Sequence, residues 1–69
     1  MIVWIIVPKA DNDFCLGYSN GKHYEIHKTD STNLNVLAFA TEEKATEYLN
    51  THNLTQEYKP QDCWKDITI

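Results

Sequence analysis

The chain has 69 residues, 42% of them hydrophobic and 23% charged, which fits one small folded core and excludes a low-complexity or disordered chain. Ten acidic side chains against six basic ones give a formal charge of −4, and all six cations are lysines. That balance argues against direct nucleic-acid binding, which needs clustered cations, and against bidentate recognition of phosphate or guanine by arginine. We expect a single domain over residues 1–69. A core this small leaves a margin of roughly 3–5 kcal/mol, which such domains often raise by adding a disulfide, a metal or a second subunit.

Near the N-terminus, Ile2-Val3-Trp4-Ile5-Ile6-Val7 is an unbroken apolar run, rich in β-branched residues and too short to span a bilayer. It predicts a strand over 2–7 buried on both faces. Val3, Ile5 and Val7 point one way; Ile2, Trp4 and Ile6 point the other. Pro8 lacks an N–H and suits the strand's end. No basic segment precedes the run, and it is too short for the core of a secretory signal. With Met1 in place, we expect a complete cytoplasmic product with no membrane association. Lys9 to Asp13 follows as a polar loop. It lacks the Gly and Glu offsets of a calcium loop, so an acidic turn is expected.

Asn20-Gly21 is the clearest local signal, because both residues accept the positive φ that a two-residue type I′ turn requires. It predicts a hairpin with Ser19 opposite Lys22, Tyr18 opposite His23, Leu16 opposite Glu25 and Cys15 opposite Ile26. One face, Cys15, Gly17, Tyr24 and Ile26, resembles core. The other, Phe14, Leu16, Tyr18, His23, Glu25 and His27, mixes aromatic and titratable groups like a half-wet surface. Turn formers at Thr29–Asn33 lead to a predicted strand at Leu34–Phe39. Thr41 then caps a helix whose first turn carries Glu42 and Glu43 at the positive end of the macrodipole. Ala45, Tyr48, Leu49 and His52 give that helix one narrow apolar stripe. Asn53 can take the left-handed conformation that ends it, with Leu54 folding back on Leu49.

Beyond the helix, Leu54–Lys59 and Cys63–Ile69 read as two more strands separated by Pro60 and Gln61. The fold class is α+β: a mostly antiparallel sheet of about four to six strands with one helix packed on one face. One narrow stripe covers one sheet face. With Val3, Ile5 and Val7 assigned to the helix, Ile2, Trp4 and Ile6 lack an obvious lid.

The candidate chemistries are weighed on geometry. Cys15, His23, His27 and Cys63 make a zinc set on paper, yet the two histidines lie four residues apart on a strand. They are therefore separated by about 13 Å, too far for both to reach one ion. Neither cysteine precedes the helix, so neither gains the lowered pKa of a nucleophile, and both read as buried thiols. Two glycines are too few for a phosphate-cradling loop. No catalytic residue, metal or cofactor is expected. Glu43 and Glu47 repel at i, i+4, which hints that Glu42, Glu43 and Glu47 form an acidic docking face.

The stretch Val36-Leu37-Ala38-Phe39-Ala40-Thr41-Glu42-Glu43-Lys44-Ala45, an apolar strand leading into a capped acidic helix, resembles in style the short stand-alone phage-type accessory proteins. That group includes host-takeover and anti-defence inhibitors. The resemblance implies a binding inhibitor acting on a nucleic-acid-binding or nucleotide-signalling system. From the residues themselves we expect a small acidic, non-enzymatic protein-binding module, an inhibitor or adaptor that blocks a macromolecular partner. The candidate partner-binding residues are Ile2, Trp4, Ile6, Tyr18, Glu42, Glu43, Glu47 and Trp64. The alternatives are a self-associating module, a homodimer through the uncovered face of the first strand, and a sponge for a small ligand or nucleotide.

Overall fold

The computed structural model describes residues 2–30 and 34–64. In chain order these form β1 (Ile2–Pro8), β2 (Phe14–Ser19), β3 (Lys22–His27), a 3₁₀ turn (Lys28–Asp30), β4 (Ala38–Phe39), α1 (Glu42–Thr51) and β5 (Tyr58–Trp64). β1 is the middle strand of an antiparallel sheet ordered β4-β1-β5, while β2 and β3 form a separate antiparallel pair. The architecture is α+β, mostly antiparallel with one helix.

The β2–β3 hairpin has the register that Asn20-Gly21 dictates, from Ser19 opposite Lys22 to Phe14 opposite His27. Both turn residues have positive φ, 56° and 77°. The helix ends also follow from local chemistry. Thr41 Oγ1 accepts from the Lys44 N–H at 3.2 Å. At the other end Asn53 has φ 58°, and the Leu54 N–H donates to the Leu49 carbonyl at 2.9 Å while Asn53 N–H reaches Asn50 at 3.4 Å. This is the paired bonding of a Schellman motif, with Leu54 and Leu49 in one apolar cluster.

Two expectations about strands are corrected. Leu34–Phe39 is not one strand: its middle pairs with β2 and its end with β1. Leu37 N–H donates to Leu16 at 3.0 Å and Tyr18 N–H to Asn35 at 2.9 Å, with Val36 opposite Gly17. Ala38 and Phe39 then face Ile5 and Trp4. The segment changes sheets and so ties them together. Gly17 makes this possible, since a Cβ there would meet Ile26 and would lie 3.2 Å from the Asn35 carbonyl oxygen. The second correction concerns Pro60 and Gln61, which lie inside β5 rather than between two strands. Ile6 faces Pro60 and Ile5 faces Gln61 in an unbroken register from Ile2–Trp64 to Pro8–Tyr58. β5 is an edge strand of this sheet, where a missing N–H is tolerated. Leu54–Glu57 forms turns instead. The expected linker residues 31–33 and strand residues 65–69 lie outside the described residues.

Among the described residues the core forms two clusters, one on each face of β1. Val3, Ile5 and Val7 pack with Cys15, Ile26 and Val36, so the hairpin covers the face assigned to the helix. Ile6 packs with Leu16 and Leu49, flanked by Leu37, Phe39, Tyr48, Leu54 and Tyr58, so α1 covers the opposite face. Both sets of alternate side chains on β1 are apolar, and the pattern alone carries no preference between them. Phe39 decides the matter: it shares a face with Trp4, and only Ala40 and Thr41 separate it from the helix. Leu16, expected on a half-wet face, is 1% exposed because it turns into the helix-side cluster.

Candidate interaction surface

The helix-side face of the β4-β1-β5 sheet is only partly covered. At one end Ile6, Phe39 and Tyr58 lie under α1 with Leu49 and Tyr48. Toward the other end the register sets Trp4 opposite Asp62 and Ile2 opposite Trp64. Residues directly opposite in a sheet, and alternate residues along a strand, project from the same face. Ile2, Trp4, Asp62 and Trp64 therefore make a two-by-two array. Ile2 is 57% exposed and Trp64 70%, while Trp4 is half-buried. The large Trp64 indole and the Ile2 side chain thus form an exposed apolar pair at this end of the face.

The expected candidates are thus divided among several places. Ile2, Trp4 and Trp64 are brought together. Ile6 is removed from the set: it is 0% exposed beneath α1 and belongs to the core. Glu42, Glu43 and Glu47 meet on the outer face of α1, where with Thr46 and Asn50 they line one shallow groove. That groove carries three carboxylates along one side of the helix, against the solvent. Tyr18 lies elsewhere, on the hairpin.

Tyr18 belongs to an aromatic and imidazole cluster that bridges the hairpin and the helix. His23 stands edge-on to Tyr18 at 5.0 Å, to Tyr48 at 5.8 Å and to His52 at 5.5 Å. His23 Nε2 is hydrogen-bonded to the Tyr48 hydroxyl. Tyr48 in turn lies 4.1 Å from the His52 ring and 5.3 Å from Phe39. Burial, together with the neighbouring Tyr18, raises the Tyr48 pKa above the usual tyrosine value. His27 is held apart from this cluster, edge-on to Phe14 at 5.3 Å and hydrogen-bonded to Thr29. The hairpin thus aims its two histidines at different neighbours.

A separate cleft is lined by Pro8, Lys9, Glu25, Gln56, Glu57 and Tyr58. There burial raises the Tyr58 pKa, helped by the carboxylates of Glu25 and Glu57 and by a hydrogen bond to Glu25. In the preceding loop the Asp11 carboxylate accepts from the Asp13 N–H at 3.0 Å, which closes the acidic turn. Both cysteines are thiols; Cys15 is buried in the hairpin-side core and Cys63 is half-buried against it. Among the described residues no group of three or more His, Cys, Asp or Glu side chains is placed to hold a metal ion. None of their helices is long and apolar enough to cross a membrane.

Sequence reasoning missed two features. Asp62 was passed over because Pro60-Gln61 read as a break, which left it between strands; counting in twos back from Trp64 would have found it. Tyr48 and His52 share the predicted helix stripe, but His23 joins them from 25 and 29 residues away, which has no local signature. Comparison with protein-family models, with characterised proteins and with solved structures finds no match to this chain.

Proposed function

We propose that this chain is a small, non-enzymatic protein-binding module that docks through Ile2, Trp4 and Trp64 and blocks the surface it covers. The observation that carries the reading is the exposed cross-strand pair Ile2–Trp64, 57% and 70% exposed, next to the half-buried Trp4. Tryptophan is enriched among residues that dominate binding energy, because one ring removes a large apolar area from water at low entropic cost. A net charge of −4 favours a basic partner surface, such as the groove with which another protein grips nucleic acid. We read the chain as an inhibitor or adaptor of the phage-type accessory kind, an anti-defence protein included, that acts by occupancy alone.

The test is affinity capture with the tagged chain, run in parallel with Trp64→Ala. A binding hot spot is worth about 2 kcal/mol or more, so the variant should weaken retention of a specific partner by about thirtyfold. Retention unchanged in Trp64→Ala contradicts the reading. Sedimentation of the chain alone, across concentrations, separates a partner protein from a second copy. Self-association that disappears in Trp64→Ala would assign the patch to a homodimer instead.

A further inference from the structure

The exposed array holds a carboxylate as well as apolar groups, and this narrows what it binds. Asp62 faces Trp4 across the β1–β5 ladder and lies two residues before Trp64 on β5. Alternate residues on a strand are about 7 Å apart, and directly opposed ones about 5 Å. On that face Trp4 and Trp64 are therefore the neighbours of Asp62, one across the ladder and one along the strand. Asp62 is exposed, and its Oδ1 accepts from Gln61 Nε2 at 2.8 Å, the one hydrogen bond to its carboxylate among the described residues.

We propose that Trp4, Asp62 and Trp64 form a recognition site for the guanidinium of an arginine on a basic protein segment. This rests on the protein-binding reading above and deepens it by naming the chemistry of the partner. A cation within about 6 Å of an indole face is attracted by the ring's quadrupole, and tryptophan is the best ring for it. A guanidinium suits the array better than an ammonium. Its plane stacks on one indole while its N–H groups reach a carboxylate at the side. Ile2 completes the floor against which the arginine's methylene stem can lie. The chain has no arginine of its own, so its own residues offer no competing guanidinium. The chain's net negative charge adds long-range attraction for the same partner.

The test is a calorimetric titration of the full chain with an acetylated, amidated tetra-arginine peptide. The titration is repeated on Trp64→Ala, on Asp62→Asn and on Asp30→Asn, which removes the same charge from the turn after β3. Trp64→Ala should weaken binding about three- to fivefold, the worth of an exposed cation–π contact, although it changes no charge. Asp62→Asn should weaken it by a similar factor, and Asp30→Asn by clearly less. Equal losses in Asp62→Asn and Asp30→Asn would show diffuse attraction to an acidic protein and overturn the site. So would an undiminished affinity in Trp64→Ala. A captured partner that needs Trp64 but tolerates Asp62→Asn would leave the docking reading standing and remove the arginine site. A partner indifferent to both would remove both.

Discussion

Single residues carry more of this fold than their number suggests, and Gly17 is the clearest case. A Cβ added there would collide with the Ile26 side chain, itself 6% exposed, and lie 3.2 Å from the Asn35 carbonyl oxygen of the crossing segment. Gly17→Ala should cost about 1–3 kcal/mol, the usual range for overpacking, and shift the urea midpoint without changing its slope. Ile6→Ala should cost about 2–5 kcal/mol, because Ile6 is wholly enclosed between Leu16 and Leu49. Trp64→Ala should change stability by about 0.5 kcal/mol or less, since the side chain is 70% exposed. The contrast separates core from contact surface within one strand pair. What was legible in the sequence at this scale was local: the Asn20-Gly21 turn, the Thr41 cap and the Asn53-Leu54 stop each depend on neighbours within five residues. The enclosure of Ile6 and Leu16 was not legible, because it depends on which face a distant helix takes.

Elements are joined here by few, identifiable contacts. The hairpin meets the helix through Leu16 on Leu49 and through the rings around His23. Tyr48→Phe keeps the ring packing but removes the hydroxyl that pairs with His23 Nε2. We expect a loss of about 0.5–1.5 kcal/mol, with a double-mutant cycle against His23→Ala assigning that loss to the pair. The expected strand over 34–39 is replaced by a turn at 34–35, a bridge from Val36 to Gly17 of the hairpin and the short β4 on the other sheet. Strand propensity cannot show this change of partner, which is a long-range choice. Pro60 misled in the opposite direction. Its missing N–H argues against a central strand, yet β5 is an edge, and so the strand runs through it.

For the whole molecule, the fold class followed from pattern while the surface did not. The α+β arrangement needs only the order and type of elements. The candidate patch needs the β1–β5 register, which brings residues 2 and 64 together across the length of the chain. Stability should also depend on alkaline pH. Tyr48 and Tyr58 both have raised pKa values through burial, Tyr58 further through Glu25 and Glu57. Below the unfolded tyrosine value of about 10, both phenols keep their protons in either state and the native advantage is intact. As pH rises through that value the unfolded chain ionises first, so stability falls until the native phenols also ionise. Urea midpoints measured between about pH 8 and pH 11 should decline, and Tyr58→Phe should flatten the decline. A typical interface covers roughly 800 Å² per partner, against a total surface of 4870 Å². A partner of that size docked on the proposed patch would extend onto its rim, and both tryptophans of the chain lie inside the patch. That makes them a direct reporter. With fluorine-labelled tryptophan in the chain, both fluorine resonances should shift on adding a captured partner, and the Trp64 signal should lose its sensitivity to solvent isotope. A partner that binds while both resonances stay unchanged would contradict the assignment of this face as the docking surface.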